Sequence, residues 1–280
     1  IPSMRAAGDI IDALVSVDTA ARQKGTTPDA YNMLLMRGHN AFVQALARHS
    51  FADQEIREQI ALTAGRVYLD TRASAETKRA YLTLAESELQ KQVEEYPRAA
   101  RMHAFFGTFY RTIGQTDKAL EQFAIVRTIS PNKQSVLFDI GSTYIDRKEY
   151  DKAKEVFRQA FVLAPAYDDA RAYYIVAAMY AGDDALVAEL SAPPHDTLYR
   201  ENDLIIQAYY ALKKYDKVLP LLDARIEKNP DDVQLRVSKA AVQYESGDTA
   251  SAIFTLQHII KDFPEFTAKA EAFIKEISKK

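Results

Sequence analysis

The sequence has 280 residues, with 36 Lys and Arg against 39 Asp and Glu, so its formal net charge is −3. A charge balance this even gives no bulk electrostatic reason to bind nucleic acid or an anionic membrane surface. Cysteine is absent, which excludes a disulfide scaffold, thiolate zinc sites and a cysteine nucleophile. With only 9 Gly and 10 Pro, the composition argues against both a turn-rich β protein and a disordered chain.

The longest unbroken apolar run covers residues 172–181, whereas a helix that crosses a bilayer needs about twenty apolar residues. We therefore expect no direct membrane insertion by this segment. No basic region followed by an apolar stretch opens the chain, so no signal peptide is predicted. Because the first residue is Ile1 rather than Met, we expect the chain to have been processed or cut from a longer protein.

Residues 1–99 predict an irregular N-terminal series of helices. Apolar residues recur at helical spacing early in this segment, and Thr27 followed by Pro28 is typical of a helix start. Ser74 is predicted to cap a further helix. That helix ends near Pro97, one repeat period before Pro131, so residues 52–97 are a candidate for a diverged repeat.

A 34-residue period runs through the rest of the chain. Gly107 recurs as Gly141 and Tyr110 as Tyr144. Five prolines follow the same period, with one interval of 65 residues that equals two periods less three residues: Pro97, Pro131, Pro165, Pro230 and Pro264. This period and content are those of the tetratricopeptide repeat (TPR), a helix-turn-helix unit. The chain resembles that family. The resemblance implies an all-α fold, a right-handed α-solenoid of TPR helix pairs that forms an α-α superhelix.

The period predicts five repeats, which cover 100–133, 134–167, 168–198, 199–232 and 233–266. A capping helix is predicted to follow them over 267–280. The third, 168–198, is degenerate because Pro193-Pro194 is expected to truncate its second helix. The truncation indicates either a local change in superhelix twist, which we favour, or a regulated hinge. Gly107 is expected to let the first helix of its pair approach the second closely, and Phe123 is expected to fill the space between neighbouring pairs.

Motifs that carry chemistry are absent from the sequence. There is no glycine-rich phosphate loop, no G-x-S-x-G elbow and no H-E-x-x-H pair among the five histidines. His103 occupies a position where repeats place a packing residue, so we expect it to be a buried structural histidine. The sequence therefore predicts no catalytic residue, no metal site and no cofactor, and the chain is predicted not to be an enzyme.

A ligand is expected on the concave face, which the first helix of each pair lines. The predicted partner-binding residues form a mostly apolar and aromatic groove suited to a protein or peptide partner, with a glycan acceptor as an alternative: Arg111, Phe138, Ser142, Ile145, Val176, Met179, Tyr180, Gln207, Tyr210 and Tyr244. The alternative is that these residues pack within a tightly wound superhelix. A clamp for a C-terminal carboxylate is not expected, because the positions where chaperone-binding repeats carry Lys and Asn are here Ala104, Thr108, Phe138 and Ser142. The groove also lacks the side chains needed to read RNA.

Four stretches resemble something narrower than the generic repeat: 5–14, 49–59, 179–190 and 202–218. They are similar to the C-terminal TPR domain of bacterial O-antigen ligase family membrane proteins. The resemblance implies a soluble appendage in the bacterial cell envelope, with the extracytoplasmic side favoured over the cytoplasm. Catalytic residues of such a ligase would lie in a membrane domain outside this chain. The alternative is a free-standing TPR adaptor that assembles a secretion, pilus or other envelope complex.

Overall fold

The computed structural model describes residues 2–23 and 25–278. Within these residues all regular structure is helical, as the sequence predicts, with sixteen α-helices and one short 3-10 turn at Pro264–Phe266. The α-helices are, in chain order, α1 Pro2–Arg22, α2 Pro28–Leu46, α3 Asp53–Leu69, α4 Ala75–Glu95, α5 Ala100–Thr112, α6 Thr116–Ile129, α7 Gln134–Asp146, α8 Tyr150–Leu163, α9 Asp168–Ala181, α10 Asp184–Leu190, α11 Asp196–Glu201, α12 Asp203–Ala211, α13 Tyr215–Lys228, α14 Val233–Glu245, α15 Thr249–Asp262 and α16 Thr267–Ile277.

The chain divides into two compact units, Ile1–Arg147 and Lys148–Lys280. The first unit contains α1 to α7, in which α1 packs on α2, α3 on α4 and α5 on α6. The second unit contains α8 to α16, in which α9 packs against α8, α10 and α12, and α14 packs on α15. Each unit is therefore a stack of helix pairs joined by short turns.

Five turns between consecutive helices share one left-handed residue. Positive φ angles of 76°, 59°, 72°, 56° and 92° occur at Gly114, Lys148, Gly182, Lys213 and Gly247. Successive members of this set are 34, 34, 31 and 34 residues apart. The three missing residues thus lie between Gly182 and Lys213. The left-handed residue turns the chain between two helices, a conformation that glycine adopts without steric cost.

Prolines follow the ends of the second helices at a constant distance. Pro131 comes two residues after the end of α6, and Pro165, Pro230 and Pro264 stand in the same relation to α8, α13 and α15. Proline cannot donate a backbone hydrogen bond and restricts the residue before it, so these helices end there. The second helix of the third pair, α10, has seven residues against fourteen in α8 and ends before Pro193-Pro194.

Side-chain packing ties the N-terminal helices together. The buried ring of Tyr81 on α4 reaches α2, where its hydroxyl donates to the backbone carbonyl of Leu35 at 2.7 Å. Arg57 on α3 is 8% exposed, and its guanidinium contacts Glu88 at 3.3 Å and Glu95 at 2.6 Å. A paired guanidinium satisfies most of its donors, which is what allows this charge to lie in the interior.

The C-terminal helix α16 covers the end of the second unit. It buries Ala270 and Ile277 against Leu256 and Ile259 of α15. A polar-backed helix of this kind shields the last apolar surface of a repeat stack from water.

Candidate protein-interaction surfaces

The predicted groove residues of the first unit are only partly available to a ligand. On α5 the Arg111 guanidinium is paired with the Asp146 carboxylate of α7 at 2.7 Å. Phe138, Ser142 and Ile145 lie on α7 and are half-buried. Their role in binding stays a prediction.

In the second unit, several predicted groove residues pack against their own chain. The prediction that Met179 lines the groove is wrong, because its side chain is only 2% exposed and belongs to the core. Tyr180 stacks on Tyr150 with 5.3 Å between ring centroids. Tyr244 makes an edge contact with Phe273 at 6.5 Å, and Val176 is half-buried. The alternative of self-packing therefore describes these tyrosines better than an open groove does.

Gln207 and Tyr210 come together in an open cleft between α12 and α14. The cleft has a volume of about 470 Å³, and both side chains are exposed. Its floor consists of Val218 and Leu222 from α13, which are nearly inaccessible to solvent. The opposite wall comes from α14 and consists of Leu235, Ser238, Ala241 and Val242.

Charged groups around this cleft are already compensated. The Arg225 guanidinium lies 2.6 Å from Asp203 and also donates to the backbone carbonyl of Glu201. At the rim, the Tyr210 hydroxyl donates to the Glu245 carboxylate at 2.5 Å, which links α12 to α14. This hydrogen bond, with burial as a smaller cause, raises the pKa of Tyr210 to about 12. The Tyr210 side chain is therefore neutral at physiological pH and contributes a hydrogen-bonding hydroxyl to the rim of the cleft.

An apolar groove in the first unit was not predicted from the sequence. It lies between α3 and α5, has a volume of about 210 Å³, and is lined by Ala61, Leu62, Gly65, Arg66, Leu69, Phe105, Thr108, Phe109 and Thr112. The 34-residue register is lost before residue 97, so periodicity could not select positions on α3. On α3 the sequence signal was Leu62 and Leu69, one heptad apart on a helix, whereas Thr108 on α5 is an inner position that the repeat register indicates.

A third cleft, of about 380 Å³, lies between α1, α2 and α3, and its lining includes Tyr31, Arg66 and Asp70. The Tyr31 hydroxyl donates to Asp70 at 2.5 Å, and the Arg72 guanidinium bonds the same carboxylate at 2.8 Å. Arg72 also lies over the Tyr31 ring, 4.4 Å from its centroid. Hydrogen bonding by Arg72 holds the pKa of Asp70 well below its usual range. Burial, followed by the bond to Asp70, raises the pKa of Tyr31 to about 12.

Side chains that could bind a metal ion are not clustered in residues 2–23 and 25–278. No group of three or more His, Asp or Glu side chains in the described part of the chain could hold a metal ion. His103 is buried, as expected, with Nδ1 2.8 Å from Gln122 Oε1 and Nε2 3.1 Å from the Pro97 carbonyl. These contacts join His103 of α5 to α6 and to the turn that precedes α5. Among the helices described, none combines the length and apolar character that crossing a bilayer requires.

Comparison with known families identifies the repeat. Two family models described as "Tetratricopeptide repeat" match residues 134–167 and 238–265. A search of curated proteins finds no match.

One solved structure supports the fold. A tetratricopeptide repeat protein from Parabacteroides merdae is 15% identical, covers 99% of this chain and 98% of its own, and superposes with a TM-score of 0.53. Pseudomonas aeruginosa pilF covers 76% of this chain and 99% of its own at 16% identity, with a TM-score of 0.43. YrrB, described as a TPR protein with an unusual peptide-binding site, covers 66% of this chain and 96% of its own at 14% identity, with a TM-score of 0.40. The first of these carries the fold assignment.

Proposed function

We propose that the chain, which carries tetratricopeptide repeats, is a noncatalytic interaction scaffold. In this proposal it holds a peptide segment of a protein partner between α12 and α14. TPR repeats form noncatalytic scaffolds that bind peptides or proteins. One observation carries the choice of site. The cleft at Gln207 and Tyr210 is open and roomy, whereas the other predicted aromatic positions of the second unit pack against their own chain.

The chemistry of the cleft suits a peptide. Its volume of about 470 Å³ falls within the range of protein ligand pockets, about 300–1,000 Å³. Its apolar floor can receive one bulky side chain. The side chains of Gln207 and Ser238 make no hydrogen bond with other described residues, so both can pair with a peptide backbone. Because Arg225 is already neutralised by Asp203, a charged ligand gains little here.

Site-specific photocrosslinking in the source cells tests this site. A benzoylphenylalanine placed at Gln207 should form an adduct with a protein partner. The same group placed at Phe254, an exposed aromatic position on α15 outside the cleft, should not. Ser238→Trp, which fills the cleft from α14, should abolish the adduct from position 207. Equal adducts from both positions, or an adduct that survives Ser238→Trp in a folded protein, would refute the site. An adduct with carbohydrate instead of protein would indicate that the ligand of this cleft is a glycan acceptor.

We further propose that the chain is the soluble domain of an O-antigen ligase-like envelope protein, on the extracytoplasmic side. The support is the resemblance of residues 5–14, 49–59, 179–190 and 202–218 to the repeat domain of such proteins. An antibody against this chain should detect a membrane-fraction band far above 31.5 kDa. A soluble band near 31.5 kDa would instead support a free-standing adaptor.

A further inference from the structure

We infer that the α3–α5 groove is a second docking surface, and that it takes an apolar segment of a partner protein with an internal Asp or Glu that pairs with Arg66. The inference rests on the scaffold role proposed above but not on the α12–α14 cleft, so the two sites can fail separately.

Large apolar side chains are exposed along this groove. Leu62 is 46% exposed and Leu69 is 64% exposed. The two lie seven residues apart on α3, about 10 Å along the helix axis at 1.5 Å per residue. Arg66 lies between them, so the three side chains follow one another at helical spacing along one face. Leucines exposed in this way, together with an aromatic wall, are typical of a surface that another chain covers.

The other side of the groove provides a matching wall and a shallow floor. Phe105 and Thr108 of α5 stand opposite the α3 leucines, and Ala61 and Gly65 form the floor. A Cβ atom on Gly65 would lie 3.2 Å from Thr112 Cγ2, closer than nearly all real contacts of this kind. A side chain at position 65 would therefore require Thr112 to shift by a few tenths of an ångström, and glycine leaves the floor of the groove without one.

Charge selects the kind of partner. Arg66 is the one charged residue lining the groove, and it also borders the α1–α2–α3 cleft. Its guanidinium has no hydrogen bond or ion pair with the described residues. The two other arginines toward this side of α5 are neutralised: Arg101 by Glu58 at 2.6 Å and Arg111 by Asp146 at 2.7 Å. An unpaired guanidinium beside apolar surface favours a carboxylate, which it can bind through two parallel hydrogen bonds.

The position of Arg66 distinguishes an internal acidic side chain from a C-terminal carboxylate. Leu62 and Leu69 extend the apolar surface on both sides of Arg66. A peptide that ended at Arg66 would cover one leucine and leave the other exposed. A segment with an apolar residue before and after its Asp or Glu covers both. The partner is therefore a through-running segment of alternating apolar and acidic character.

Fluorescein-labelled 12-residue peptides with an acetylated N-terminus and an amidated C-terminus test the surface by fluorescence polarisation. One set carries Leu on both sides of a central Glu at helical and at extended spacings, and two matched sets carry Gln or Lys in place of Glu. We expect the Glu set to bind and the Gln set to bind at least about tenfold more weakly, with affinity falling as salt rises. A fourth set ends in a free carboxylate after the first Leu and should bind more weakly than the Glu set.

Charge reversal at Arg66 separates the groove from general stickiness. Arg66→Glu should weaken the Glu peptides at least about tenfold and strengthen the Lys peptides. Arg79→Glu reverses an exposed arginine on α4 that has no partner among the described residues, and should change neither. Ser238→Trp should also leave this binding intact, because it alters only the α12–α14 cleft. Binding that ignores Arg66→Glu, absence of binding by every set, preference for the free C-terminus, or a dimer of this chain that Arg66→Glu dissociates would each overturn the inference.

Discussion

Gly107 on α5 lies directly against the ring of Phe123 on α6. A Cβ atom on Gly107 would lie 2.5 Å from Phe123 Cε1 and 2.7 Å from Cδ1, distances that van der Waals repulsion forbids. Phe123 is fully buried, so its ring has no free volume to enter. Close approach of the two helices in this pair therefore depends on the absence of a side chain at position 107.

Gly107→Ala should destabilise the first unit by about 1–3 kcal/mol, because overpacking outweighs the helix propensity gained with alanine. Urea denaturation, with hydrogen exchange of α5 and α6 amides, measures the loss. Gly8→Ala is the matched control, since Gly8 lies in α1 with no atom within 4 Å of an added Cβ. That variant should be neutral or stabilised by up to about 1 kcal/mol. Equal behaviour of the two glycines would contradict the packing argument.

Lys213 occupies the left-handed turn position that glycine occupies in three other pairs, with φ 56°. Lys213→Gly should stabilise the second unit by about 0.5–1 kcal/mol, because relief of left-handed strain exceeds the extra chain entropy of glycine. Lys213→Ala should give no such gain, since alanine keeps the Cβ atom. Thermal and urea unfolding of the three proteins check this, and stabilisation by alanine equal to that by glycine would rule out strain as the cause.

Removing Arg57 should leave the Glu88 carboxylate buried with only Lys91 beside it, 2.5 Å away. We expect Arg57→Met to destabilise the first unit by about 3 kcal/mol, as when one partner of a buried pair is removed. The control is Arg158→Met, whose 2.8 Å pair with Glu155 is about half exposed. Loss of that pair should change stability by less than about 1 kcal/mol. Equal losses of unfolding free energy in the two variants would show that the Arg57 ion pairs contribute no more to stability than an exposed pair does.

The Tyr31–Asp70 contact predicts a stability difference at both ends of the pH scale. Because the folded pKa of Asp70 is lowered, its contribution is present above about pH 4 and is lost as pH falls through the folded pKa. Because the folded pKa of Tyr31 is raised to about 12, its contribution is present below pH 10 and is lost as pH rises through about 12.

Urea midpoints measured against pH check both limbs. Asp70→Asn should flatten the acid limb relative to the unmodified protein, and Tyr31→Phe should flatten the alkaline limb. The two changes should not add on the acid side, because the Tyr31 hydroxyl donates to Asp70 and is one of the causes of its lowered pKa. Unchanged pH profiles in both single variants would show that the contact contributes nothing to stability.

Periodicity in the sequence was sufficient to predict the repeating helix pairs. Positions 34 residues apart have the same task in every pair, so Gly107 and the prolines after α6, α8, α13 and α15 could be interpreted before any contact was known. His103 was likewise expected in the core from its register alone. Signals of this kind can be found in the sequence because they act on the backbone within one repeat, and each repeat carries its own set of them.

Surface availability was decided by tertiary packing. Met179 and Tyr180 share the helical face predicted to bind, but Met179 enters the core and Tyr180 is covered by Tyr150, whereas Tyr210 remains exposed beside Gln207. Arg66 had no register to mark it, and the absence of a carboxylate partner for it among the described residues is a property of the folded unit. Helix spacing states which way a side chain points; only the neighbours that fold against it determine whether a ligand can reach it.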